Sequence, residues 1–384
     1  MKRVFVKFVT ITLPVTAISV LVLALLVELL VRATWDEKKG KPGFFIRSDT
    51  RLEMLSPNYS GWYGGVPVRI NNLGFRDPRD YDLAKKPNTF RIIVLGDSVT
   101  FGHGSIYEST YPYLLESRLK QWRPDVDWQV WNLGVPGYNT SQELAYLRDV
   151  ASTYQPDLVV VGFFFNDVFD NFGPLTVGRF ERISSRIKGF LSTHSYSYHL
   201  YKKVHLILSA RLAGSREGRV LTRNLENEEG LLQRTDSVAN LAQQKIAPVA
   251  PLPDRGAVKV SCEPMPPLSL IKSPEQEAVW LDAVRGFQPL PFPVVFFINI
   301  APDTCDADDL FYDGRTKGVN EYFLRTLGAV RPVVSSYEAF SPYRPSQMPL
   351  AAGHSLGNAN AVKADTLFAF LKDRHFVPAP PEPR

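Results

Sequence analysis

The chain has 384 residues, 45% of them hydrophobic and 22% charged, enough to bury the core of one large α/β domain with accessory segments, or of two small domains. Its 44 basic and 39 acidic residues leave a net charge of +5 spread along the length, which excludes the concentrated basic patch of a nucleic-acid binder. No fixed-period repeat or low-complexity block occurs, which excludes a solenoid or propeller.

Residues 8–31 are almost wholly apolar, interrupted chiefly by Pro14 and Glu28. A helix of that length crosses a hydrocarbon core of about 30 Å at ~1.5 Å per residue. The run is too long for the apolar stretch of a cleaved secretory signal, and no Ala-x-Ala site follows it, so it reads as an uncleaved signal anchor. Lys2, Arg3 and Lys7 precede the span and argue for a cytoplasmic N-terminus; Arg32, Lys38, Lys39 and Lys41 on the far side oppose them and are partly offset by Asp36 and Glu37. The anchor is assigned to residues 1–35, and residues 36–89 form a linker and an aromatic, turn-rich lead-in packed on the domain.

The first strong strand is predicted over residues 90–95, a β-branched run that stops at Gly96, Asp97 and Ser98. A helix follows over 110–122, a second strand over 128–133, a helix opened by Thr140 or Ser141 and running to 154, and a third strand over 158–165. Beyond Gly173 the rhythm breaks. Residues from about 174 to 290 read as an insertion with a Lys/Arg-containing helical part and Pro-rich loops. Regular order returns with a strand over 294–300, a helix around 320–327, a short strand over 333–337 and a last helix over 359–371. Strands alternating with helices, most of them apolar on both faces, predict a three-layer α/β sandwich with a mostly parallel sheet, occupying residues 90–375 and followed by a Pro-rich tail at 376–384. Sites in such sheets lie at the carboxyl ends of the strands.

Three of those ends carry suitable chemistry. Gly96-Asp97-Ser98 places a hydroxyl at the mouth of the sheet, where it can act as a nucleophile. Asn132 and Gly137 follow the second strand, and Gly137 can offer a backbone N–H to a developing oxyanion without a side chain in the way. Asn166-Asp167 ends the third, and the Asn166 amide can donate a second bond to the same oxygen. Asp97 and Asp167 are read as turn residues that hold local backbone N–H groups, and Phe163, Phe164 and Phe165 as buried strand.

The blocks VLGDSVTFGHG, NLGVPGYNTSQE, GFFFND and a late Gly-His resemble, in order, the four sequence blocks of the SGNH/GDSL hydrolases. The resemblance covers residues 91–371 apart from the insertion. It implies that the fold is SGNH or flavodoxin-like, that Ser98 is the nucleophile, and that the N–H groups of Ser98 and Gly137 with the Asn166 side chain form the oxyanion hole. Ser98 lies in Gly-Asp-Ser and not in a Gly-x-Ser-x-Gly elbow, which separates the chain from the α/β hydrolases that use that turn. Of six histidines, His354 stands before the terminal helix as the family's general base does; His194, His199 and His205 fall in the insertion, His375 in the tail and His103 five residues past Ser98.

The carboxylate that the family places two or three residues before this histidine is replaced by Ala351 and Ala352. Such a carboxylate fixes the imidazole tautomer, and its loss in a serine protease costs ~10⁴ in rate. Three arrangements answer the vacancy: a Ser98–His354 dyad oriented by a backbone carbonyl, a substitute acid from Glu338 or the Asp306, Asp308 and Asp309 group, or a protein that binds an acylated ligand with little turnover.

The resemblance therefore implies a single-pass inner-membrane protein with an extracytoplasmic serine esterase or O-acyltransferase domain. Its partners would be the membrane, through the N-terminal helix, and an acylated cell-envelope glycan or a lipid ester or thioester. The alternative is an assembly or binding protein of an envelope polysaccharide system that keeps the fold. No Cys/His spacing suggests a metal site, and no cofactor is implied. Cys262 and Cys305 fit either a bridge or two buried thiols.

Overall fold

The computed structural model describes residues 8–168, 171, 179–212, 246–252, 261–262, 270–271, 273–351 and 354–379. In chain order the first element is a π-helical turn, Phe8–Thr12, that leads into α1, Leu13–Thr34. Residues Thr10–Thr34 have a mean hydropathy of 2.5 and are not buried against the rest of the chain, so this helix is long and apolar enough to cross a membrane. Two hairpins follow: β1 (Phe45–Ser48) with β2 (Leu52–Leu55), and β3 (Ser60–Tyr63) with β4 (Val66–Arg69), both antiparallel. They give the predicted lead-in its shape, and their buried Phe44, Val66, Val68 and Ile70 join the main core.

The central sheet comprises β5 (Thr89–Gly96), β6 (Asp127–Gly134), β7 (Leu158–Phe163), β8 (Val294–Ile298) and, after the short β9 (Asp303–Cys305) and β10 (Leu310–Tyr312), β11 (Val333–Ser335). Its order is β11-β8-β7-β5-β6 and every pairing is parallel. A parallel sheet needs helices on both faces, and the period-2 alternation of side chains sorts the strand residues between two cores. Ile93 and Leu95 of β5, Val159 and Val161 of β7 and Phe296 and Ile298 of β8 enter one core. Ile92, Val94, Val160, Val295 and Phe297 enter the other.

On the first face lie α4 (Thr140–Tyr154), α7 (Pro274–Arg285) and α8 (Arg315–Gly328), which contribute Leu147, Trp280 and Phe323. On the second lie α3 (Tyr111–Trp122) and α10 (Gly357–Asp373), through Leu115, Leu119, Leu367 and Leu371. The sandwich predicted from the alternating elements is thus present. Short elements complete it: α2 (Ser98–Phe101) after β5, α9 (Tyr337–Phe340), and the ladder of β12 (Leu350–Ala351) with β13 (His354–Ser355).

Within the segment read as an insertion, α5 (Arg179–His194) and α6 (Tyr196–Leu212) form a helical pair, and residues 213–245 lie outside the described residues. The pair is tied to α1 by Glu28, the acidic residue that interrupts the apolar run. Its carboxylate accepts from the N–H groups of Tyr196 (2.9 Å) and Ser197 (3.0 Å) and from the hydroxyls of Ser195 (2.8 Å) and Ser197 (2.6 Å), capping the start of α6. Cys262 and Cys305 form a disulfide with Cα atoms 5.7 Å apart, which decides between the two readings of these cysteines.

Candidate active site

The carboxyl end of β5 is where the sheet opens. Gly96 has φ +152°, and a Cβ there would stand 2.0 Å from Thr100 Oγ1. Gly134 ends β6 equally close, with a Cβ falling 2.3 Å from the Phe101 backbone nitrogen. Only bare strand ends let α2 press down between the strands, and that descent sets Ser98 at the rim, half-buried. Asp97 caps the turn by accepting from Val99 N–H at 2.8 Å, and Asp167 likewise accepts from Phe164 N–H, as their turn roles predict. Asn132 clamps the same turn: its amide donates to the Thr100 carbonyl (2.9 Å) and its oxygen accepts from Gly134 N–H (3.0 Å). Of the three phenylalanines, Phe163 closes the strand, whereas Phe165 already belongs to a 3-10 turn, Phe165–Val168.

Arg76, from the lead-in, was not legible as part of the site. It is buried, donates to the carbonyls of Phe101 (2.8 Å), Gly102 (2.7 Å) and Ser105 (2.6 Å), and covers the Phe101 ring at 4.6 Å. Burial pushes its guanidinium down to about 10, so it remains charged at neutral pH.

His354 is brought to Ser98 from 256 residues away, with Nε2 2.8 Å from the Ser98 hydroxyl oxygen. The join is made by neighbours: the Ser105 hydroxyl and the Asn360 amide both donate to the Ser355 carbonyl, at 3.1 and 2.8 Å, and Asn360 also donates to Ser105 at 3.1 Å. His354 faces Ala351 in the β12–β13 ladder; Ala352, the other position of the family's acid, lies outside the described residues. Two acids weighed as substitutes are engaged elsewhere. Asp308 accepts from Ser261 N–H and hydroxyl, both at 2.7 Å, and Asp309 from Ser346 N–H (2.8 Å) and hydroxyl (2.6 Å). Asp306 and Glu338 are exposed.

What lies against His354 instead is His103. The rings are 4.8 Å apart between centroids and inclined by 38°. His103 is buried, and burial, the neighbouring His354 and Arg76 hold its pKa down to about 3. The sequence offered only its spacing from Ser98 as a signal.

Gly137 is exposed with φ +83°, and a Cβ built on it meets nothing within 4 Å, so space lies open beside its Cα. Asn166 stands at the end of β7 with its amide donating to the Tyr138 carbonyl at 3.2 Å, while its Oδ1 is buried without a hydrogen-bond partner. Beneath them lies a buried acidic group. Glu143, Asp97 and Asp167 are all held above the ordinary carboxyl range by burial, to which the charge of Asp97 adds for Glu143 and the charges of Glu143 and Asp97 add for Asp167, and both Glu143 oxygens lack a donor. Lys363, also buried, is pushed down to about 7 by desolvation, which the charge of Asp97 opposes. A cleft of about 840 Å³, walled in part by Leu350, Ser346 and Asn358, opens beside the ladder that carries His354. Among the described residues no cluster of His, Cys, Asp or Glu is arranged to hold a metal ion.

The family model for GDSL-like lipases and acylhydrolases matches residues 94–256, which begin at the strand leading into Ser98. Over that segment the chain is similar to this GDSL-type family. That similarity supports an ester hydrolase. No curated protein matches the sequence. Among solved structures, a catalytic mutant of Axe2, an acetylxylan esterase from Geobacillus stearothermophilus, is similar at 13% identity and a TM-score of 0.39, covering 76% of this chain and 97% of that one. Unmutated Axe2 gives 14% identity and 0.34, covering 75% and 94%. LAE5, an alpha/beta hydrolase enzyme from the metagenome of Lake Arreo, Spain, gives 14% and 0.34, covering 73% and 94%.

Proposed function

We propose that this protein is a membrane-anchored serine esterase with Ser98 as nucleophile and His354 as general base. The observation that carries the reading is the 2.8 Å contact between His354 Nε2 and the Ser98 hydroxyl, within the reach that proton transfer needs. In the first step Ser98 Oγ attacks the ester carbonyl as its proton passes to His354 Nε2. The oxyanion so formed takes hydrogen bonds from the N–H groups of Ser98 and Gly137 and from the Asn166 amide, each donor contributing roughly 3 kcal/mol. Collapse expels the alcohol, which takes the proton from His354, and leaves an acyl group on Ser98. Water, activated by the same histidine, releases the acid; a sugar hydroxyl in its place would make the protein an O-acyltransferase.

The pair works as a dyad in this reading, with Ser105 and Asn360 fixing the strand of His354 and His103 supporting the ring. The acyl group is carried by an envelope glycan or a lipid, and the domain lies outside the cytoplasmic membrane. The disulfide supports that side, since such bonds persist in oxidising compartments, and the apolar Thr10–Thr34 helix supports a single-pass anchor.

A second reading, a binding protein that keeps the fold with little turnover, is favoured by Ala351 in place of the family's carboxylate. One experiment separates them. Full-length protein in detergent is assayed on p-nitrophenyl acetate beside Ser98→Ala and His354→Ala. Loss of turnover by at least a thousandfold in both variants supports the esterase; turnover equal to that of Ser98→Ala overturns it.

A further inference from the structure

A second, smaller cavity of about 170 Å³ lies between the end of the membrane helix and the histidine pair. Lys38 and Lys41 line it from the turn after α1, Trp62 from β3, His199 and Lys203 from α6, and His103 from the turn that carries Ser98. One of the residues that border this cavity, His103, therefore also lies against His354.

Its chemistry is that of an anion site. The three ammonium groups stand over aromatic rings, Lys38 over Trp62 at 6.0 Å, Lys41 over Tyr59 at 5.6 Å and Lys203 over Trp35 at 5.7 Å, with Glu37 the carboxylate in the same turn. His199 adds a directed group: its Nε2 is buried and makes no hydrogen bond, a state that a buried ring nitrogen seldom keeps.

The position of the cavity points to what supplies the anion. His199 and Lys203 stand one helical turn apart on α6. Beside them Leu200, Val204 and Leu208 repeat at the same spacing and are 40%, 45% and 52% exposed. The same helix is capped by Glu28 of the membrane anchor. These exposed apolar side chains, on a helix fastened to one that is long and apolar enough to cross a membrane, place the cavity at the level of lipid headgroups. The volume is below the roughly 300 Å³ at which pockets enclose a drug-sized ligand, so a headgroup enters and its acyl chains do not.

We propose that this cavity binds the phosphate-bearing headgroup of a membrane lipid and so holds a lipid-borne ester at Ser98. The phosphate oxygens accept from the three ammonium groups and from His199 Nε2–H. That the bound lipid presents an ester to Ser98 rests on the esterase reading of Ser98 and His354, whereas binding itself does not need catalysis.

The test is calorimetric titration of the full-length Ser98→Ala protein in detergent with dihexanoyl phosphatidylglycerol, dihexanoylglycerol and inorganic phosphate. We expect one site per chain for the phosphatidylglycerol, at least tenfold weaker binding of dihexanoylglycerol and of inorganic phosphate, and a further loss at high salt. The combined Lys38→Ala, Lys41→Ala and Lys203→Ala protein should bind at least tenfold more weakly, and the three Lys→Arg replacements should restore the affinity. Undiminished binding by the alanine variant overturns the site. Inorganic phosphate binding as tightly as the lipid overturns the headgroup in favour of a small free anion. Absent binding alongside active wild-type protein overturns this inference alone, whereas lipid binding with no ester turnover in the wild type upholds the site and overturns the esterase reading.

Discussion

His103 lies against His354, the ring centroids 4.8 Å apart, and is itself enclosed between Tyr63, at 5.3 Å, and the turn that carries Ser98. A histidine held neutral by burial can support a neighbouring imidazole by packing without repelling the positive charge that develops on it. Support of this kind is steric, and it stands where the chain has no carboxylate next to His354 in sequence.

His103 also makes stability depend on pH. Its folded-state pKa is depressed to about 3 from 6.5, so between those values the unfolded chain binds a proton that the folded protein refuses. Stability is full above about pH 6.5 and falls as the pH drops toward 3, by up to ~1.4 kcal/mol per unit. His103→Phe should flatten this part of the profile. Melting temperatures at pH 7 and pH 5 should differ by less in the variant than in the wild type, and an unchanged difference would refute the assignment.

Glu143 predicts the opposite slope. Its pKa is raised by burial and by the charge of Asp97, so the folded protein holds a proton that the unfolded chain releases. Its contribution is complete below about pH 4.5 and is lost as the pH rises toward the folded-state value. Glu143→Gln keeps the shape and removes the titration. The variant should be more stable than the wild type at pH 8, by about 1–3 kcal/mol, with the gap closing by pH 4–5 in denaturant titrations.

Arg76 holds three carbonyls of the nucleophile turn. Arg76→Met removes a charged donor from all three, leaving the Gly102 carbonyl only the Ser105 N–H (3.0 Å) and the Phe101 carbonyl only the Asn132 amide (3.4 Å), at a cost of about 3–5 kcal/mol. Arg76→Lys should recover little, because one ammonium cannot reproduce the planar fork. Urea unfolding gives the stability loss, and the rate on a p-nitrophenyl ester should fall at least tenfold in both variants.

Glu28 joins the anchor to α6, and Glu28→Ala removes the cap from that helix. Loss of such a cap costs about 1 kcal/mol. Amide exchange over residues 196–200 should quicken about fivefold in the detergent-solubilised protein, while exchange in the buried strand β7 stays as it was.

Much of this molecule was written in local pattern. Apolar runs of five to eight residues on both faces announce β5, β6, β7 and β8 because a parallel sheet covered on two sides leaves no strand face for water. The span over Thr10–Thr34 is equally local, since only uninterrupted apolar length matters in a bilayer. Ser98, Gly137, Asn166 and His354 could be picked out because each follows a strand or precedes a helix in a recognisable block.

Relations between distant segments had no such signature. The sequence by itself determined the layered α/β fold and the long apolar N-terminal helix and singled out Ser98 and His354, for these depend on the order of residues within short windows. The tertiary structure alone decided that His354 reaches Ser98, that Arg76 and His103 belong to the same site, that Asp308 and Asp309 do not, and that Cys262 meets Cys305. Each of those contacts is set by how packed helices and loops close over the ends of the sheet, and burial there gives a charged or aromatic side chain a role that its neighbours in sequence do not foretell.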